Sequence, residues 1–91
     1  MYYTYIVQCR DQTLYVGYTN NIEKRIQDHN TSRRGAKYTR GRGPVVLRYV
    51  EGHRTLGKAL SREAEIKKLT RAKKFALIGT KKNKKSVVIL A

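Results

Sequence analysis

Acidic residues are scarce in this 91-residue sequence: six Asp and Glu stand against 21 Lys and Arg, a formal net charge of +15. The six are Asp11, Glu23, Asp28, Glu51, Glu63 and Glu65. They form no clustered pair, which excludes a two-metal centre built on neighbouring carboxylates. The single cysteine, Cys9, excludes an internal disulfide and a cysteine-based zinc site. Its place at the end of an apolar run suits a small buried side chain. Long hydrophobic runs are missing too. The N-terminal apolar stretch is short and holds Tyr and Gln, so neither a signal peptide nor a membrane span is expected. A long basic amphipathic helix with bulky apolar anchors, the mark of membrane-surface binding, is also lacking. The sequence contains no P-loop, no GxGxxG and no internal repeat. What remains is a basic protein expected in the cytoplasm, with nucleic acid as its first candidate partner.

The length is that of one domain with a single core. Tyr supplies seven of its eight aromatic residues, so much of the core or site surface carries hydroxyls. The segment Tyr2 to Cys9, rich in aromatic and β-branched types, predicts a strand. Arg10-Asp11-Gln12-Thr13 reads as a polar turn and Leu14 to Tyr18 as a second strand, together a hairpin. Period-two spacing places Tyr3, Tyr5, Val7 and Cys9 on one face. Gly17 weakens the second strand, and a common reason is close approach by a ligand or another backbone. Asn20-Asn21-Ile22-Glu23 has the form of a capping box, opening a helix to Asn30. Ile22 and Ile26 mark its buried stripe, and Arg25 and His29, four apart, flank it. Both fit a snorkelling cation and a helix-terminal histidine as well as a site.

The stretch from Thr31 to Gly43, TSRRGAKYTRGRG, is basic and glycine-rich with no acid. A solvated loop and a phosphate-gripping loop are both open, the second because glycines admit a close phosphate and Tyr38 offers a stacking face. Val45 to Glu51 predicts a third strand with imperfect alternation, and Thr55 to Leu69 a second helix. With Leu56 at zero and ~100° per residue, Ala59 falls near 300°, Leu60 near 40°, Ile66 near 280° and Glu63 near 340°. Glu63 thus points into the apolar stripe, where a carboxylate is costly unless paired or bound to a metal. An ion pair, with Arg25 as candidate partner, and a metal ligand both remain open. Thr70 predicts the cap of a short third helix to Ile78, with Gly79 as its stop. Residues 80–91 read as a separate C-terminal tail after a domain at 1–79. Its first six residues hold four lysines and read as a disordered tail, nucleic-acid-binding or merely solubilising.

These motifs, in this order, resemble the GIY-YIG endonuclease domain. The likeness is to the small single-domain bacterial type and to the nuclease half of eukaryotic branched-DNA endonucleases. Tyr3-Thr4-Tyr5 and Tyr15-Val16-Gly17 match the two signature halves, Arg25 and His29 the helix Arg and His, and Glu63 the metal-binding Glu. GAKYTRGRGPV is similar to the loop of the small members. The family's opening Gly is Tyr3 here, and no Asn equivalent follows the Glu. The resemblance implies an α/β fold: a three-stranded, mainly antiparallel sheet flanked by helices. It implies a metal-dependent endonuclease that hydrolyses DNA phosphodiesters, set in DNA repair or recombination, with one Mg²⁺ or Mn²⁺. Tyr5, Tyr15, Arg25, His29 and Glu63 are then the catalytic set, with Glu63 on the metal. The basic surroundings are expected to depress the Tyr5 pKa toward use as a base. Arg33, Arg34, Lys37, Tyr38, Arg40 and Arg42 would hold nucleic acid, and a protein partner could supply targeting. The competing expectation is a non-catalytic module that binds structured DNA or RNA.

Overall fold

A computed structural model describes residues 1–31 and 44–85. The elements run β1 (Tyr2–Gln8), β2 (Leu14–Thr19), α1 (Ile22–Thr31), β3 (Val46–His53), α2 (Leu56–Lys67) and α3 (Arg71–Ile78). The strands form one sheet in the order β2-β1-β3, antiparallel throughout, so β2 and β3 are its two edges. The tight turn of the hairpin passes through Gln12, whose φ of 74° is left-handed. Asp11 steadies it by accepting from the Thr13 N–H and hydroxyl.

The alternation predicted for β1 sorts two layers. Tyr5, Val7 and Cys9 pack with Ile22, Val45, Leu47 and Val50 on the α1 side. Ile6 packs with Val16, Tyr49 and Ile66 on the α2 and α3 side. The imperfect alternation of the third strand has a cause: the register jumps between Ile6↔Tyr49 and Val7↔Leu47, leaving Arg48 as an extra residue. This bulge lets Leu47 and Val50 face the same layer.

Several local expectations shift. The cap of α1 is Asn21, not Asn20: its Oδ1 accepts from Lys24 N, because the Thr19 hydroxyl holds Asn21 N at the end of β2. The helix therefore starts one residue later, and Glu23 leaves the capping-box position. In α2 the buried residues are Ala59 and Ile66, while Leu56 and Leu60 are 41% and 39% exposed. The centre of the stripe sits near 290° rather than 340°, about 50° from where the leucines pull it. Glu63 consequently lies on one flank of the buried stripe and Arg62 on the other. Gly79 ends α3 at φ −82°, without the left-handed turn that a terminal glycine supplies.

Residues 80–85 are tied to the sheet rather than free. The Asn83 side chain accepts from Val50 N and Lys85 N and donates to the carbonyls of Arg48 and Ile78. Lys84 N donates to the Val50 carbonyl at 2.8 Å. These bonds take up backbone groups that an edge strand otherwise leaves open. Asn30 does similar work at the other end of β3, pairing both backbone groups of Val45. The segment 32–43, with every residue expected to grip nucleic acid, lies outside the described residues.

Candidate active site

Tyr5 stands opposite Gly17 in the β1–β2 ladder. A Cβ at Gly17 would meet the Tyr5 hydroxyl at 2.6 Å and its Cζ at 2.8 Å. The close approach expected at this glycine is therefore made by a neighbouring phenol, not by a ligand or backbone. Gly17 gives up strand stability so that the ring can lie across β2 toward α1. There its Oη lies 2.9 Å from His29 Nε2 and accepts from Arg25 Nε at 3.3 Å. Arg25 and His29 are one helical turn apart on α1, so a single helix brings both to one oxygen. The Tyr15 ring meets the His29 ring edge-on, with centroids 5.5 Å apart. His29 is thus wedged between two phenols.

Burial decides the protonation states. Desolvation pushes the Tyr5 pKa up to about 12, outweighing the bond and charge of Arg25, which pull it down. The expected depression of this phenol by basic neighbours does not occur: a dry oxygen loses more by ionising than one guanidinium returns. His29 moves the other way, to about 4, through burial first and Arg25 second. At neutral pH the pair is a protonated phenol beside a neutral imidazole. Arg25 keeps its charge: burial alone would lower its pKa, but the Tyr5 bond together with Tyr5, Tyr15 and Asp28 as neighbours outweighs that cost.

A cavity of about 460 Å³ opens over this cluster, lined by Tyr5, Tyr15 and Arg25 and, from α2, by Glu63. Glu63 comes from α2, which packs in the opposite layer, and lines the same cavity. Its side chain is 15% exposed and pairs with Lys67 at 3.3 Å; the ion pair is thus local to α2, whereas Arg25 is engaged by Tyr5. Sequence reasoning missed Tyr2, Tyr18, Thr19, Asn20 and Leu56, which also line it. Tyr18 pairs across from Thr4 on the α2 side. Following the second face of the hairpin would have found it.

The matching family model is that of the GIY-YIG catalytic domain, over residues 1–76. The chain belongs to the GIY-YIG family. It is 57% identical over 81 residues to a UPF0213 protein of Clostridium perfringens, covering 89% of this chain and 86% of that one. It is 54% identical over 76 residues to a UPF0213 protein of Syntrophus aciditrophicus, covering 84% and 87%. Among solved structures, the solution NMR structure of a UPF0213 protein from Bacillus halodurans matches with a TM-score of 0.57 and 42% identity. That match covers 90% of this chain and 87% of the other. The three-stranded sheet flanked by helices is thus the GIY-YIG architecture expected from the sequence. GIY-YIG domains are those of endonucleases, acting on nucleic acid and generally with a divalent metal.

The donor set of this GIY-YIG chain suits such an ion held loosely. Among the described residues no group of three or more His, Cys, Asp or Glu converges. Glu63 offers one hard carboxylate on the cavity wall. A single oxygen ligand fits Mg²⁺ or Mn²⁺, which keep most of their waters and take further ligands from substrate phosphate. No helix of the described residues is long and apolar enough to cross a membrane.

Proposed function

We propose that the chain is a metal-dependent endonuclease that hydrolyses DNA phosphodiester bonds, with DNA repair or recombination as its setting. The observation that carries this is the placing of one phenol oxygen, Tyr5 Oη, between a guanidinium and a neutral imidazole, in a cavity faced by a lone carboxylate. Glu63 would hold Mg²⁺ or Mn²⁺, and the ion when bound would supply charge to the departing oxygen. Lys67, which pairs with Glu63 Oε1, would share the carboxylate with the ion or give it up.

Arg25 is placed to bind a non-bridging phosphate oxygen and stabilise charge growing there. Tyr5 is unsuited to act as a resting phenolate: at a pKa of about 12, roughly one part in 10⁵ is ionised at pH 7. A relay avoids that state. The attacking water passes a proton to Tyr5 Oη as Tyr5 passes its own to His29 Nε2, while the new P–O bond forms and the P–O bond to the leaving oxygen breaks. A bound anionic phosphate offsets the Arg25 charge that helps hold His29 down, and so raises its proton affinity. Tyr15, half-buried against His29, orients the imidazole and offers its hydroxyl to water or phosphate. Asn30, next to His29, clamps Val45, so the two roots of the basic segment 32–43 are held together at the end of α1 that carries His29. This supports a grip on the phosphate backbone by Arg33, Arg34, Lys37, Arg40 and Arg42, with Tyr38 stacking.

One observation favours the second reading, a non-catalytic module for structured DNA or RNA. Tyr5 is 0% exposed, so the phenol that the relay needs in contact with water is buried at the cavity wall in this conformation. Incubating supercoiled plasmid with the protein and Mg²⁺ or Mn²⁺, from pH 6 to 9, separates the two. Metal-dependent nicking is expected; binding without nicking under every condition supports the module instead.

A further inference from the structure

The lysines tied down by Asn83 have no part in the cavity, yet the fold fixes them. Two hollows of about 390 Å³ each lie along the β3 edge. One is lined by Glu51, His53, Arg62, Lys82 and Lys84, the other by Arg48 and Lys85. Among the described residues Glu51 is the one acid lining these hollows, and it is already spent: it accepts from Arg62 at 2.7 Å and from Tyr49, and lies 3.0 Å from His53. Glu65, outside the lining, also pairs with Arg62. Arg48 Nε donates to the neutral Gln8. Among the described residues no carboxylate pairs with Lys82, Lys84 or Lys85. Such a row repels itself. A solubilising tail needs no fixed geometry; here the Asn83 side chain bonds Arg48 and Val50 of β3 and Ile78 of α3, and Lys84 N adds a bond to the Val50 carbonyl. The row also adjoins the cavity, because Tyr2 on the cavity wall is the cross-strand partner of His53 in the first hollow.

We propose that the β3 edge is a second anion track, on which Arg48, Lys82, Lys84 and Lys85 hold successive backbone phosphates of a nucleic-acid strand leaving the cavity past Tyr2 and His53. That the polyanion is nucleic acid rests on the nuclease reading of the cavity. Arg48 and His53 are five residues apart on β3, roughly 16 Å at ~3.3 Å per residue, room for a few phosphates.

The test is binding of the full chain to a fluorescent 20-nucleotide DNA in EDTA, at several salt concentrations. It compares the wild type, a Lys82→Gln/Lys84→Gln/Lys85→Gln variant, and a charge-matched Lys58→Gln/Lys68→Gln/Lys73→Gln control on α2, its C-terminal end and α3. Loss of three phosphate contacts predicts a fall of about 2 to 3 in the log–log salt slope and at least tenfold weaker binding near 0.1 M salt for the edge variant. The control should stay within a few-fold of wild type. Equal losses in both variants, or none in the edge variant, overturn the track. Wild-type binding to phosphatidylserine vesicles that exceeds DNA binding at equal salt overturns the nucleic-acid assignment. Because EDTA removes the metal, absence of nicking would count against the nuclease reading alone and leave this result standing.

Discussion

At Gly17 the whole site turns on a missing methyl group. Gly17→Ala would push a Cβ into the Tyr5 hydroxyl, so the ring must shift away from its place beside His29. We expect a stability loss of about 1–3 kcal/mol in urea unfolding, with nicking reduced more than that loss explains, since the phenol leaves His29. His29 itself gives a pH signature. Its folded pKa of about 4 lies below the ordinary 6.5, so the unfolded chain takes up the proton first. The contribution is complete above pH 6.5 and is lost as pH falls toward 4, about 2 kcal/mol by pH 5. Thermal melts of the wild type should show this decline; His29→Gln, lower overall, should show a flatter profile across pH 6.5 to 5. Spacing left Arg25 and His29 open between structural and site roles, and the GIY-YIG resemblance made them, with Tyr5, candidates. The sequence could not show which phenol is dry, because burial is set by α1 and β3 together, and hence the direction of the Tyr5 pKa was misjudged.

Among the elements, the hairpin and α1 were legible because their periods are simple: Tyr3, Tyr5, Val7 and Cys9 alternate, and Ile22 and Ile26 recur one turn apart. The phase of α2 was not. Leu56 and Leu60 look like core and instead sit exposed, Leu56 at the cavity wall. The corrected phase explains both flanks of the helix, with Glu63 turned to the cavity and Arg62 to Glu51. Asn83 was illegible for a different reason: one amide within a lysine run resembles solvated chain until β3 lies beside it. Asn30 is its counterpart. Asn30→Ala would leave the nearly buried Val45 N–H and carbonyl without these partners. It should cost about 1–3 kcal/mol and raise KM for DNA more than it lowers kcat, because the roots of the basic segment loosen while the cavity groups stay in place.

For the molecule as a whole, the +15 charge is a standing strain on a small fold. Raising NaCl from about 0.02 to 0.3 M should raise the melting temperature by screening the repulsion. A short DNA oligonucleotide at low salt should raise it further through linkage to the folded state. Salt-independent melting would mean that the cations are already neutralised within the fold. The sheet also joins the two halves of the site, since the phenols and α1 groups lie on one face and Glu63 comes from the other. The decisive measurement is single-turnover cleavage of a DNA substrate with Mn²⁺ by the wild type, Tyr5→Phe and Glu63→Ala, each at saturating protein confirmed by binding. The account predicts a rate loss of at least about 10³-fold in both variants, with affinity within a few-fold of wild type. Cleavage at near wild-type rate by either variant would contradict it.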